Sequence, residues 1–253
     1  MYIIASDFDG TLCRNYAISD SDRRAIDEFR KAGNLFGIAT GRGMWSYNSF
    51  CNDFGLELDF LVCDAGGGAL DSNGDVLFEE REENRDGLLI RLAEFLAEKY
   101  DQWLGVGVDR EGRIRFYAKH PEGFENFRPI SEINDIKSFK LLEARLHTHE
   151  RAIECQAEIL RLFGDHLNPL KQGTSLDIVP VGVDKSFGVG KIAAHFGVSA
   201  QNVYTVGDTM NDAAMLEAFN GYCMADSADK QIFAYAKGEV ESVGALIEMI
   251  MNK

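Results

Sequence analysis

The sequence predicts an α/β fold, a parallel-sheet core interrupted by an α+β insert. Three observations carry this. Short apolar, β-branched runs alternate with helical patterns from residue 2 to residue 64; the alternation breaks over residues 66–181; and it resumes at Asp184. Strand, helix, strand, helix, strand is the pattern of a parallel sheet, whereas strand pairs beside a few helices describe an α+β layer. The predicted division is a core of residues 1–81 and 182–253 with an inserted domain of residues 82–181. An insert that leaves and re-enters a core has two hinges and can work as a lid.

The elements follow in order. YIIAS (2–6) is apolar on both faces, as a central parallel strand must be. Ser19 is placed to cap a helix running to about Ala32, with Ile26 and Phe29 on one buried face and Gly33 as its stop. NLFGIAT (34–40) reads as the second strand, GRGMWSYNSFCNDF (41–54) as the second helix and DFLVCD (59–64) as the third strand. A hairpin is expected around Ser72-Asn73-Gly74, because Asn-Gly favours a tight turn. The insert reads as a helix (86–99), strands near 102–108 and 113–119, a strand (137–145), a helix (149–163) and two strands near 166–171 and 174–179. KSFGVGKIAAHFGV is then a helix, NVYTVGD (202–208) a strand, NDAAMLEAF a helix and GYCMA (221–225) a strand, with two terminal helices expected to close the chain.

Composition narrows the function. Of 253 residues, 45% are hydrophobic, enough for a real core, and the formal net charge is −15. That charge argues against binding a nucleic-acid backbone, and an acidic protein with an anionic substrate needs a cation's help. Five scattered cysteines, without close metal-ligand spacing, favour free thiols in a reducing cytoplasm. No segment approaches the ~18–20 apolar residues of a membrane span, and no basic stretch precedes the short N-terminal apolar run, so a cytoplasmic protein with no membrane partner is expected. The sequence leaves the oligomeric state open.

In open α/β sheets, ligands bind at the carboxyl ends of the strands, so the polar residues found there are informative. After the first strand come Asp7 and Asp9, in DFDGTL; after the second, Thr40, Gly41 and Arg42; after NVYTV, Gly207, Asp208, Asn211 and Asp212. Lys185 opens the helix before that last strand. Clustered carboxylates repel and persist around a cation, and oxygen ligands select a hard one such as Mg²⁺. A carboxylate can attack phosphorus, and an acid two residues on can protonate the leaving oxygen and later deprotonate water. A threonine hydroxyl, a lysine charge and backbone N–H groups at a helix starting near Gly41 suit the phosphoryl group. The set suits phosphoryl transfer.

DFDGTL (7–12), ATGR (39–42), Lys185 and GDTMNDAAML (207–216), in this order, resemble the four motifs of the haloacid dehalogenase superfamily of phosphatases. The large insert between the second and third motifs is similar to that of subclass IIB, the Cof-like sugar-phosphatase group. The resemblance covers the whole chain. It implies a Rossmann-like core with an α+β cap, and an Mg²⁺-dependent phosphatase acting on a small phosphorylated metabolite, a sugar phosphate first. It makes Asp7 the nucleophile and Asp9 the general acid and base. Mg²⁺ would take the Asp7 carboxylate, the Asp9 backbone carbonyl and Asp208, with Asp212 a further ligand or a partner to one. Asn211 would help position the site, Thr40 and Lys185 would hold the transferring phosphoryl group, and Arg42 would contact substrate. Two stretches depart from the family pattern. CDAGGGAL (63–70) stands where an Asn-Gly pair is usual, and ADSADKQIFAYAK, around Met224, carries no site role.

Plainer readings stand beside these. DFDGTL alone is a turn; Asp208 and Asp212 suit a helix N-terminus; Arg42 equally suits a surface ion pair. Met44, Trp45, Tyr47 and Phe50 read as packing; the histidines show no metal-site spacing except His147-Thr-His149, which lies at a strand end and reads as no metal site. Arg113, Arg115, Tyr117 and Lys119 alternate along one insert strand, as on any half-buried strand. A phosphomutase of the same superfamily and a non-catalytic phospho-acceptor are the rival functions. A mutase would give an isomer without free phosphate, and an acceptor would take phosphate without turnover.

Overall fold

The computed structural model of the chain describes residues 1–107, 114–122 and 125–252. They form two compact units, Met1–Phe78 with Asp184–Lys253, and Glu79–Val183. Residue 108 and Arg113, which the sequence places in strands, lie outside the described residues.

The first unit opens with β1 (Ile3–Ser6), α1 (Asp20–Lys31), β2 (Leu35–Ala39), α2 (Ser46–Asn52) and β3 (Phe60–Cys63). Ser19 caps α1 through its side chain, which accepts from the Asp22 amide at 3.0 Å. Asp20 and Asp22 lie in the first turn and Arg30 and Lys31 in the last, so both ends complement the helix dipole. The hairpin of β4 (Gly68–Asp71) and β5 (Val76–Glu79) follows. One carboxylate oxygen of Asp71 accepts from the amides of Asn73 (2.8 Å) and Asp75 (2.9 Å), which organises its turn.

The second unit holds β6 (Glu82–Glu83), α3 (Leu88–Tyr100), β7 (Leu104–Gly107), β8 (Ile114–Ala118) and β9 (Phe127–Pro129). It continues with β10 (Ser138–Phe139), β11 (Leu142–Arg145), α4 (His149–Phe163), β12 (Leu167–Gln172) and β13 (Ser175–Pro180). Its six-stranded sheet has the order β12-β13-β11-β7-β8-β9, antiparallel except for the β8–β9 pair. Leu92 and Leu96 of α3 and Cys155 and Ile159 of α4 share a core with Val106, Tyr117, Leu142 and Ile178 of the sheet. Tyr117 is therefore packing. The single strand expected over 137–145 is two: β10 pairs with β6 in a separate ribbon, and β11 joins the main sheet.

The chain then returns to the first unit through α5 (Lys185–His195), β14 (Val203–Gly207), α6 (Ala213–Ala218), β15 (Asn220–Met224), β16 (Gly238–Val240) and α7 (Val243–Met251). The eight-stranded sheet has the order β16-β15-β14-β1-β2-β3-β4-β5 and is parallel through β3. Only one terminal α-helix forms. The expected first one is a 3₁₀ segment, Lys230–Tyr235, because the chain next supplies an edge strand that pairs Tyr222–Met224 with Gly238–Val240.

β1 explains the layering. Ile4 faces a core with Ile26 and Phe29 of α1 and Leu246 and Ile247 of α7. Ile3 and Ala5 face the opposite core, with Val189 and Ile192 of α5 and Met215 and Leu216 of α6. All three are fully buried, which is why this strand is apolar on both faces. Phe29 is also fully buried. Phe29→Ala should lower the stability of this unit by about 3–5 kcal/mol, read as an earlier urea transition.

Candidate active site

The order β14-β1-β2 brings the carboxyl ends of three strands together. The amide of Asp7 donates to the carbonyl of Val206 (2.9 Å) and that of Thr40 to the carbonyl of Val62 (2.9 Å), so the ladder continues into both residues. Asp208 directly follows β14. Lys185 is the first residue of α5, whose preceding Asp184 caps it by accepting from the Phe187 amide at 3.0 Å. The side chain of Lys185 is 1% exposed.

Its ammonium donates to Asp7 Oδ1 at 2.7 Å and to Asp212 Oδ1 at 2.6 Å. The other oxygen of Asp212 accepts from the amides of Asp208 (3.0 Å) and Thr209 (3.2 Å). Asp212 thus caps the turn Met210–Asp212, as the plainer reading of the sequence has it, and also holds Lys185, which the sequence did not suggest. Asp208 accepts from the Thr11 hydroxyl at 2.9 Å. Carboxylate oxygens of Asp7, Asp208 and Asp212 all lie within 4.8 Å of one another.

Three carboxylates face one ammonium, which leaves two negative charges uncompensated. The local electrostatics carry the same deficit. Burial pushes the Asp7 carboxyl up to about 8; Lys185 opposes this, and Asp212 and Asp208 add to it. Asp208 is raised by burial and then by Asp212. Burial pulls Lys185 down, but Asp212 and Asp7 more than offset it, so its ammonium stays charged. A divalent cation would supply the missing charge, and an all-oxygen donor set suits a hard one, so these residues fit a metal. Asp7 and Asp208 would hold it, with Asp212 beside them.

Two glycines fix this geometry. Gly10 has φ +90°, and a Cβ there would lie 2.5 Å from Asp208 Oδ2. Gly66 has φ +106°, and a Cβ there would lie 1.8 Å from the carbonyl oxygen of Asp184. The glycine run that departs from the family pattern thus lets the loop after β3 press against the residue that caps α5. Asp64 and Ala65 also take positive φ, 51° and 53°.

Other expected residues stand apart. The Asp9 carboxylate does not join the cluster; it forms a two-point ion pair with Arg42, Nε–Oδ2 2.9 Å and Nη2–Oδ1 2.7 Å. Thr40 is buried, and its hydroxyl accepts from the Arg42 amide at 3.1 Å. Gly41 lies in that bend. The helix expected to start near Gly41 begins at Ser46, so no helix N-terminus lies at Gly41. The bend is used instead to link loops, the Arg42 carbonyl accepting from the Asp64 amide at 2.9 Å. Asn211 accepts from the Thr209 hydroxyl at 2.5 Å. Met44 and Phe50 are core, Tyr47 packs against it, and Trp45 is exposed.

Two supports had no visible signal. The Ser227 hydroxyl donates to the Asp208 carbonyl at 2.5 Å, and Asp229 accepts from the Met210 amide at 3.3 Å. Both lie in the stretch after Met224 to which the sequence attached no role.

Asp208→Asn keeps the shape and removes one uncompensated charge. It should raise the melting temperature in chelator and shrink the further rise on adding Mg²⁺, both read by thermal melts. Gly66→Ala should lower both stability and activity, because strain at positive φ and the Asp184 contact would shift Lys185; a cost above about 1 kcal/mol is expected from the backbone alone.

A family model for haloacid dehalogenase-like hydrolase matches residues 4–243. A 5-amino-6-(5-phospho-D-ribitylamino)uracil phosphatase of Bacillus subtilis is 27% identical over 236 residues, covering 90% of this chain and 85% of the relative. A phosphoglycolate phosphatase of Natronomonas pharaonis is 26% identical over 242 residues, covering 95% and 89%. A solved subclass IIB sugar phosphatase of the same superfamily superposes with a TM-score of 0.79 at 18% identity, covering 100% of this chain and 98% of its own, which shows a shared fold. With a match over nearly its whole length, the chain belongs to the haloacid dehalogenase-like hydrolase family.

Proposed function

We propose that this phosphatase hydrolyses a small phosphorylated metabolite, a sugar phosphate above all, with Mg²⁺ as cofactor and Asp7 as phosphoryl acceptor. The observation that carries the reading is the buried Asp7 carboxylate, held at 2.7 Å by Lys185 within a cluster two positive charges short. The phosphatase names of the two relatives and of the structural neighbour support it, and the sugar phosphatase among them favours the substrate class.

Asp7 attacks phosphorus as the bond to the leaving alcohol oxygen breaks, and Asp9 gives that oxygen its proton. Water then attacks the same phosphorus and gives a proton to Asp9; the bond to Asp7 breaks and inorganic phosphate leaves. Lys185 orients Asp7 and, with the Thr40 hydroxyl, faces the charge on the phosphoryl oxygens. Mg²⁺, when bound by Asp7 and Asp208, neutralises charge on carboxylate and phosphate together.

Among the described residues no helix is long and apolar enough to cross a membrane. All five cysteines are free, which supports a reducing, cytoplasmic setting.

The test is phosphate release from p-nitrophenyl phosphate and a panel of sugar phosphates, with Mg²⁺ and with chelator. Asp7→Asn should lower kcat by at least about 10³-fold, the scale lost when a covalent nucleophile is removed. Turnover that survives this change in the presence of metal overturns the assignment.

A further inference from the structure

We propose that Arg42 is the positioning residue for Asp9, rather than a contact to the substrate's phosphate. The inference rests on the reading of Asp9 as the proton carrier. The guanidinium grips both carboxylate oxygens of Asp9, at 2.9 and 2.7 Å. It is itself held against the rings of Phe8 (5.1 Å) and Phe50 (5.6 Å), both fully buried. Its main chain is fixed at both ends, the amide to Thr40 and the carbonyl to Asp64. Arg42 is therefore a rigid arm, fixed at its backbone and lying over two buried core rings.

Asp9 bridges to Cys13 through its backbone, but its side chain has no such anchor of its own. It sits in the turn after β1, beside Gly10, with its side chain 52% exposed. Among the described residues, no other side chain or backbone amide donates to its carboxylate. A half-exposed ion pair adds little to folding stability, so the fold does not require this contact. What a bidentate fork does supply is orientation, because its two parallel bonds fix the plane of the carboxylate. Each oxygen keeps a second lone pair for the proton it handles. A proton carrier displaced by about 1 Å can lose about 10²-fold in rate, so an arm that removes the rotation of Asp9 acts on the chemistry directly.

The leaving group discriminates the roles. p-Nitrophenolate departs without a proton, whereas an alkyl alkoxide needs one. The value of kcat/KM covers the steps up to alcohol release. Arg42→Ala should therefore lower kcat/KM by about 10–100-fold for glycerol 2-phosphate and by less than about threefold for p-nitrophenyl phosphate. Asp9→Asn should show the same inequality, and in that background Arg42→Ala should cost no more than about twofold. Arg42→Lys, which keeps the charge and loses the fork, should show the same pattern at smaller size, and it serves as the readout if Arg42→Ala does not fold. Equal losses on both esters from either Arg42 change make Arg42 a phosphate contact and overturn the proposal, as do losses that add to those of Asp9→Asn. Equal losses from Asp9→Asn itself overturn the proton-carrier reading of Asp9 and the proposal with it, while Asp7→Asn still reports separately on the phosphoryl acceptor.

Discussion

A single ammonium shared between two buried carboxylates is the contact around which the first unit's sheet edge is arranged. Lys185 lies 2.7 Å from Asp7 and 2.6 Å from Asp212, and burying any of the three alone would cost several kcal/mol. Each is tolerable only because the others are in place. That requirement reaches into the backbone: Asp7 and Asp208 must leave neighbouring strands, Asp212 must cap its own turn, and α5 must begin where it does. A substitution that moves one of these elements leaves a buried charge without its partner.

The cluster is nonetheless underbalanced. Two negative charges remain without a positive partner, and Asp7 and Asp208 are both driven toward their neutral forms. A site built only for stability would not keep this arrangement, since removing one carboxylate would relieve it. Active sites commonly hold such electrostatic strain, and folding energy elsewhere sustains it. Here the two apolar layers on either side of β1 supply that energy, and the strand's placement at the middle of the sheet makes its end rigid enough to aim Asp7.

Much of this is visible in the chain. The alternation of apolar runs and helical patterns gives the sheet elements, because side-chain period and strand length are local properties. Ser19, Asn73-Gly74 and Gly33 likewise mark a cap, a turn and a stop through chemistry confined to a few neighbours. Elements whose existence depends on a distant partner are harder to see. β16 forms because an edge of the sheet is open beside β15, and the stretch 137–145 divides because β6 and β13 claim its two halves for different sheets. Nothing within those residues encodes either outcome.

The sequence by itself determined the α/β class and the family, and it named Asp7, Lys185, Asp208 and Asp212 as chemistry-bearing residues at strand and helix ends. Motif order is a linear property, and so is the polarity change that ends a buried strand. The tertiary structure alone decided who pairs with whom. Asp9 and Arg42 lie 33 positions apart, and Ser227 supports Asp208 from 19 positions away. The demand for glycine at position 66 shows only in the fold, where its φ is +106° and the backbone of Asp184 lies against it. The physical reason is that hydrogen bonds, ion pairs and close contacts act over a few ångströms of space. Only the folded chain sets those distances.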